Sequence, residues 1–291
     1  IDPTMELFDR VPYGQEFEVC TGVTATFNDA GHILGSSTIT LDIRENHTKK
    51  RLLFTGDLGR NNMPILKNPV IVKNVDYLIT ESTYGNRFHP PKTDIMLQLE
   101  SLVNEIYNKK SKLIIPSFSV GRTQQMVFFL NNLHGEKRIP PIPVYVDSPL
   151  SSKATTIYKQ HPECYDQEAV NVVLNGHEPF HFNGLKYITD VEDSKTLNEK
   201  PGPVIIISSS GMCEGGRILH HLKNNIENPE NIILFIGYQA QNTLGRRIVK
   251  KETPIRIFGE EYTPKATIKS IQALSRSEER RVGKECTVLC R

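Results

Sequence analysis

Apolar and polar residues alternate along the first part of the chain. In residues 16–29 and 37–44 apolar residues recur at alternate positions, which is the pattern of strands with one buried face. Residues 50–57 (KRLLFTGD) and 76–82 (DYLITES) are shorter apolar runs that end in polar residues. A succession of such strands predicts a layered α/β fold built on a sheet.

The spacing of apolar residues changes after about residue 92. Residues 94–110 have the apolar spacing of an amphipathic helix, and residues 112–133 and 203–225 each read as strand, loop and helix. Residues 143–149 and 231–237 predict two more apolar strands. Because strand–loop–helix units build parallel sheets, this part of the chain predicts a doubly wound α/β domain.

The two patterns divide the chain into domains. A length of 291 residues is enough for two domains. We expect a first domain at 1–96 and a second at 97–253, with residues 254–275 returning to the first.

Residues 276–291 (RSEERRVGKECTVLCR) follow neither period. Their first eleven residues match the translation of a common sequencing adapter, so we expect an artefact there; a natural basic tail is the alternative. The tail holds five Lys and Arg against three Asp and Glu, which accounts for the whole formal net charge of +2. Net charge therefore gives no indication of nucleic-acid binding.

The cysteines outside residues 276–291 and the hydropathy of the chain indicate where in the cell the protein is found. Cys20, Cys164 and Cys213 form no C-x-x-C pair, which is typical of a reducing compartment and excludes a disulfide framework or a thiolate zinc site. No run approaches the roughly 18 apolar residues of a membrane span. We therefore expect a cytoplasmic protein without membrane association.

Three ionisable residues follow predicted strands: His32 in DAGHILGSS, Asp57 in FTGDLGR and Glu81 in TESTYG. Singly, each has an ordinary explanation, such as a solvated loop histidine or a carboxylate that caps its own turn. Together at one sheet edge they indicate a metal-hydrolase site. Zinc hydrolases use at least three protein ligands per metal, and the residues before His32 supply none.

Two loops of the second domain have the composition of anion-binding sites, with hydroxyl, glycine and arginine residues ahead of a helix. Ordinary N-capping serines are the alternative explanation. Neither loop has the Walker pattern, which argues against an NTPase. The candidate phosphate-binding residues are Ser119, Arg122, Ser208, Ser209, Ser210, Gly211, Gly215, Gly216, Arg217 and Arg246.

These motifs together resemble a known family. The order DAGHILGSS, FTGDLGR, TESTYG, SFSVGRTQQ, SSSGMCEGGRILHHLK and GYQAQNTLGRR is similar to that of metallo-β-lactamase-fold nucleases of the β-CASP group, which includes ribonuclease J-like enzymes and the pre-mRNA 3′-end cleavage subunit. The resemblance covers nearly all of residues 5–275. It implies a partial metallo-β-lactamase αββα sandwich with an inserted β-CASP parallel α/β domain at 97–253.

The resemblance also implies roles for the candidate residues. His32 matches a zinc-binding histidine, Asp57 matches the catalytic aspartate that bridges two zinc ions, and Glu81 matches the acidic residue that supports a catalytic histidine. Arg122 and the loop Ser208–Arg217 match positions that contact substrate phosphates. The implied activity is zinc-dependent hydrolysis of single-stranded RNA.

Two features of the family are missing from the sequence. Its H-x-H-x-D-H motif, which supplies most zinc ligands, does not occur, and the adapter-like tail stands where a Ser-Ala-His motif is expected. We therefore expect an internal fragment that binds zinc weakly and is inactive by itself.

Two alternative functions stay open. One is a non-catalytic RNA-binding or scaffold relative, against which the intact His32 and Asp57 argue. The other is a small-molecule ester or thioester hydrolase, which would have no use for a second phosphate-binding domain. The expected partner is single-stranded RNA, and a homodimer is left open.

Overall fold

The computed structural model describes residues 2–82 and 95–271. These residues form two compact units, with residues 2–82 in the first and residues 95–271 in the second. The second unit is the larger of the two.

The first unit is built around a five-stranded sheet. The elements in chain order are α1 (Asp2–Met5), β1 (Glu16–Cys20), β2 (Val23–Asp29), β3 (Ser37–Glu45), β4 (Thr48–Phe54) and β5 (Tyr77–Ile79). Spatial order follows chain order; β1 to β4 pair antiparallel and β5 pairs with β4 in parallel. The strands β2, β4 and β5 therefore run in one direction and end at the same edge of the sheet.

The alternating sequence of this unit produces the expected burial. Along β3 buried residues alternate with half-buried ones, as in a sheet with one covered face. The run predicted over 16–29 is divided by a turn at Thr21 and Gly22. Gly22 has φ 81°, a left-handed conformation that glycine adopts without strain, and this turn makes β1 and β2 a hairpin.

The second unit contains a six-stranded parallel sheet. Its strands are β6 (Lys112–Pro116), β7 (Val144–Asp147), β8 (Leu185–Ile188), β9 (Val204–Ser208), β10 (Ile232–Ile236) and β13 (Thr267–Ile271), and a separate hairpin is formed by β11 (Ile255–Ile257) and β12 (Glu260–Tyr262). The spatial order is β13-β10-β6-β9-β7-β8, with every neighbouring pair parallel. All residues of β6, β9 and β10 are buried, as expected for strands covered on both faces.

Helices connect these strands. They are α2 (Ile95–Lys109), α3 (Arg122–Gly135), α4 (Pro149–Gln160), a 3-10 helix (Pro162–Cys164), α5 (Gln167–Leu174), α6 (Val191–Glu199), α7 (Ile218–Asn225) and α8 (Leu244–Val249). The predicted helix over 94–110 is confirmed, with an inward face formed by Leu99, Leu102, Val103 and Ile106. Because the sheet is parallel, the loops after β6, β7, β9 and β10 emerge at one carboxyl edge.

The structure differs from the predicted domain boundaries in two places. The described part of 254–275 was expected to return to the first domain, but it lies in the second unit, where β13 pairs in parallel with all five residues of β10. Likewise α2 starts at Ile95 inside the second unit, so the boundary falls before that residue and not after 96. The artefact predicted at 276–291 lies outside the described residues.

Candidate functional site

The structure brings His32 and Asp57 together at one edge of the first sheet. His32 lies in the loop between β2 and β3, and Asp57 follows β4. His32 Nε2 is 3.6 Å from Asp57 Oδ2, which is too long for a direct hydrogen bond. The histidine side chain is 18% exposed and the carboxylate 72% exposed. The two side chains therefore converge in space, and the carboxylate faces solvent.

Short-range hydrogen bonds fix the His32 loop. Ser36 Oγ accepts from the backbone N–H groups of His32 and Ile33, at 3.1 and 3.2 Å. Asp29 Oδ1 accepts from Gly31 N at 2.8 Å. Burial raises the pKa of Asp29, and the hydrogen bond from Gly31 opposes that rise. The residues of DAGHILGSS thus build a turn that holds His32 in place.

The loop that carries Asp57 approaches this turn closely at Gly59. Gly59 N donates to Ala30 O at 2.8 Å. A Cβ at Gly59 would stand 2.0 Å from Gly31 O and 2.7 Å from His32 N, so only glycine fits. This close approach is what brings His32 within reach of Asp57.

We expect Gly59→Ala to separate these two residues. The added methyl group would push the His32 loop away and destabilise the chain by about 1–3 kcal/mol, as overpacking does. Urea unfolding measures the loss of stability. Gly135→Ala is the matched control, because a Cβ there would meet no atom within 4 Å; equal effects of the two changes would contradict the role of Gly59.

Glu81, the third predicted residue, lies at the same edge and holds the Asp57 loop. Its Oε1 accepts from Leu58 N at 2.9 Å, directly after Asp57 in the chain. Two further contacts join the loops that follow β4 and β5: Thr55 N donates to Ile79 O at 3.0 Å, and the hydroxyls of Thr55 and Thr80 are 3.1 Å apart. All three predicted residues are therefore at one sheet edge, and Glu81 contacts the backbone next to Asp57.

His32 and Asp57 supply part of the ligand set that a metal ion needs. Two ligand atoms that are each about 2.0–2.1 Å from a tetrahedral zinc ion lie about 3.3–3.4 Å apart. The 3.6 Å between His32 Nε2 and Asp57 Oδ2 is close to that spacing, and imidazole with carboxylate is a common zinc pair. Within residues 2–82 and 95–271, no group of three or more His, Cys, Asp or Glu side chains is placed to hold a metal. The described residues thus offer two ligands.

In the second unit, three serine hydroxyls meet at the carboxyl edge of the sheet. Ser148 Oγ lies 2.9 Å from Ser209 Oγ and 3.3 Å from Ser119 Oγ. Ser148 is the N-cap of α4 and also accepts from Ser151 N at 3.2 Å. The sequence predicted Ser119 and Ser209 but missed Ser148, although its place after an apolar strand and before Pro149 is a signal for an N-cap.

The other predicted phosphate-binding residues differ in their surroundings. Ser208 is buried and donates to Asp147 O at 2.9 Å. Arg122 is buried and donates to Gln125 Oε1 at 2.8 Å. Arg246 is half-buried, and its Nε has no hydrogen-bond partner among the described residues.

The glycine-rich loop after β9 is folded on itself. Ser210 N donates to Gly215 O at 3.0 Å, and Ser210 Oγ accepts from Glu214 N at 3.1 Å. A Cβ at Gly216 would stand 2.2 Å from Ser209 O, and one at Gly211 would stand 2.8 Å from the Phe118 ring. These glycines are therefore required by close packing of the loop.

A buried polar cluster around Asp147, absent from the sequence predictions, lies below this edge. Asp147 Oδ2 accepts from Ser194 Oγ at 2.6 Å and lies 2.6 Å from His221 Nε2. Asp147 Oδ1 accepts from Arg217 Nη1 at 2.7 Å, and Arg217 Nη2 donates to Thr189 O at 2.7 Å. Burial raises the pKa of Asp147, but the hydrogen bonds of its three partners outweigh burial and hold that pKa below its usual value. Arg217, predicted as a phosphate ligand, is thus engaged inside the protein.

A chain of amide side chains fixes the His221 ring. Asn231 Oδ1 accepts from Lys112 N, so its Nδ2 donates to Asn225 Oδ1. Asn225 Nδ2 in turn donates to Asn198 Oδ1, which lies 3.0 Å from His221 Nδ1. Both ring nitrogens of His221 therefore face oxygen acceptors, Asn198 on one side and Asp147 on the other.

Comparison with known proteins identifies the second unit. The family model described as Beta-Casp domain matches residues 123–248, which lie within that unit. The chain therefore contains a β-CASP domain. This domain confirms the resemblance seen in the motifs, and the α/β fold with a parallel sheet confirms the predicted fold class.

Curated relatives align with most of this chain. Ribonuclease TTHA0252 of Thermus thermophilus is 34% identical over 253 residues, which is 87% of this chain and 57% of the relative. The RNase J-like protein of Methanocaldococcus jannaschii is 31% identical over 261 residues, 89% of this chain and 59% of the relative. Transcription termination factor FttA of Methanosarcina mazei is 32% identical over 250 residues, 84% of this chain and 39% of the relative. The chain spans between 39% and 59% of the length of these β-CASP relatives.

Among the residues that the structure describes, no helix is both long and apolar enough to cross a membrane.

Proposed function

We propose that the whole protein is a zinc-dependent hydrolase of RNA phosphodiester bonds. The observation that carries the proposal is the convergence of His32 Nε2 and Asp57 Oδ2 to 3.6 Å at the edge of a sheet. The β-CASP domain and the ribonuclease name of a 34% identical relative support RNA as the substrate. The roles given to individual residues are part of the proposal.

In this proposal the residues of the first unit hold the metal. His32 and Asp57 would be two of its ligands, and Glu81 would keep the Asp57 loop in position through Leu58 N. When bound, zinc supplies a Lewis acid for the phosphoryl oxygens and makes a water molecule acidic enough to attack at neutral pH. The exposure of the Asp57 carboxylate leaves room for a phosphodiester beside it.

The residues of the β-CASP domain would bind the RNA backbone. Ser119 and Ser209 offer half-buried hydroxyl groups at the carboxyl edge of the sheet, where the buried Ser148 hydroxyl contacts both. Arg246 adds a half-buried guanidinium group. Hydroxyl and guanidinium groups are the usual donors to phosphate oxygens. Because these contacts read no base, this part of the site would bind RNA without regard to sequence.

A non-catalytic RNA-binding protein is the second candidate. The observation in its favour is that only two metal donors converge among the described residues, fewer than a zinc hydrolase uses. The same RNA-binding edge would serve this function.

Metal removal separates the two candidates. Dialysis of the whole protein against EDTA is expected to abolish cleavage of a labelled single-stranded RNA, and zinc is expected to restore it, because the metal activates the water. RNA binding, measured by gel shift, should survive the dialysis. Cleavage that resists EDTA would contradict the metal dependence, and binding without cleavage in any metal would establish the second candidate.

A further inference from the structure

The carboxyl edge of the β-CASP sheet carries exposed apolar side chains between its hydroxyl groups. Phe118 and Val120 follow β6, Leu150 follows β7 and Tyr238 follows β10, and all four are exposed. Phe118 is 44% exposed and Tyr238 is 38% exposed. Because β6 and β10 are neighbours in the parallel sheet, the loops that bear these two aromatic residues leave the sheet side by side.

The loops that bear Phe118 and Tyr238 both contact the loop after β9. The Phe118 ring lies against Gly211, where a Cβ would stand 2.8 Å from the ring. Gln239, next to Tyr238, donates from Nε2 to Gly211 O at 3.1 Å. Both aromatic loops thus contact the same glycine.

The backbone under Phe118 is held firmly. Thr123 Oγ1 donates to Phe118 O at 2.8 Å, and Thr123 N donates to the same oxygen at 3.3 Å. The ring is therefore presented to solvent by an ordered loop, and little conformational entropy would be lost on binding a planar ligand.

The surroundings favour one class of ligand. Ser119, directly after Phe118, belongs to the hydroxyl cluster with Ser148. The buried cation Arg122 lies beneath, with Nε 3.9 Å from where a Cβ of Gly237 would stand, next to Tyr238. Aromatic rings beside hydroxyl donors and a buried positive charge suit a ligand with both a flat π face and anionic oxygens, which is a nucleotide.

We propose that Phe118 and Tyr238 form a stacking site for an unpaired nucleobase at the carboxyl edge of the β-CASP domain. The inference rests on the proposed function in that it takes RNA as the ligand. It adds that the domain contacts bases as well as phosphates, and that it requires unpaired bases, since a paired base stacks on its neighbours within the duplex. Stacking of this kind is tolerant of base identity.

The test compares two oligonucleotides of equal length by fluorescence anisotropy with the chain: oligoadenylate and an abasic ribose strand with the same phosphates. The wild-type chain is expected to bind oligoadenylate about tenfold more tightly or better. Phe118→Ala and Tyr238→Ala should each remove most of this ratio and leave the affinity for the abasic strand unchanged. Phe118→Trp should preserve the ratio, because indole also stacks.

Tyr107→Ala is the matched control. Tyr107 is 43% exposed but lies in the last turn of α2, just before the amino end of β6 and so at the opposite edge of the sheet. Its removal should leave both affinities unchanged. The stacking site would be contradicted, but RNA binding would not, by either of two results. One is that Phe118→Ala lowers the affinity for both strands equally, and the other is that the wild-type chain binds both strands equally. If the wild-type chain binds neither strand, the proposed RNA function falls together with this inference.

Discussion

Asp57→Ala in the whole protein is expected to slow RNA hydrolysis by about 1,000-fold or more. The carboxylate lies 3.6 Å from His32 Nε2, and its loss would remove one of the two proposed metal ligands. The affinity for RNA should change little, because the proposed RNA-binding groups belong to the other unit. Single-turnover cleavage of a labelled RNA, with a gel shift in parallel, measures both quantities.

Glu18→Ala is the matched control for this change. Glu18 is an exposed carboxylate on β1, at the far side of the same sheet from β4. It should retain the full rate of hydrolysis. A rate for Asp57→Ala close to that of Glu18→Ala would show that Asp57 takes no part in the reaction.

Asp147→Ala is expected to cause the largest loss of stability, about 3–5 kcal/mol. The carboxylate is fully buried and is the shared acceptor of Ser194, Arg217 and His221. Without it, the guanidinium and the His221 ring lose the group that compensates their burial. Denaturant unfolding measures the loss. Glu192→Ala, which breaks the exposed pair with Lys195, should have little effect.

The pH dependence of Asp147→Asn gives an independent check. The pKa of Asp147 is held below its usual value in the folded chain, so the carboxylate stabilises the fold above the unfolded pKa of about 3.9. That contribution is lost as the pH falls through the lower folded pKa. The stability difference between wild type and Asp147→Asn should therefore be constant near neutral pH and shrink below about pH 4. A difference that persists unchanged in acid would contradict the assignment.

Sequence patterns predicted the helices and strands well where the order of apolar and polar residues within one segment determines its structure. The apolar runs at 112–116, 204–208 and 232–236 became the buried strands β6, β9 and β10 because both faces of a parallel sheet are covered. The edge that gathers His32, Asp57 and Glu81 was predicted from polar residues at strand ends. This worked because β2, β4 and β5 run in the same direction.

The sequence patterns did not predict contacts between residues that are far apart in the chain. Residues 254–275 look like any short strand region, and nothing local indicates that β13 pairs with β10. The Asp147 cluster joins residues 47, 70 and 74 positions apart, so no window of sequence contains it. Arg217 was predicted as a phosphate ligand from the composition of its loop, and its ion pair with the buried Asp147 is a contact that the sequence does not indicate.

The central claim is that His32 and Asp57 are ligands of the same metal ion. Anomalous diffraction at the zinc edge from crystals of the whole protein, grown with zinc, tests it most directly. We expect an anomalous peak in contact with both His32 and Asp57. A protein that cleaves RNA but whose zinc contacts neither residue would contradict it.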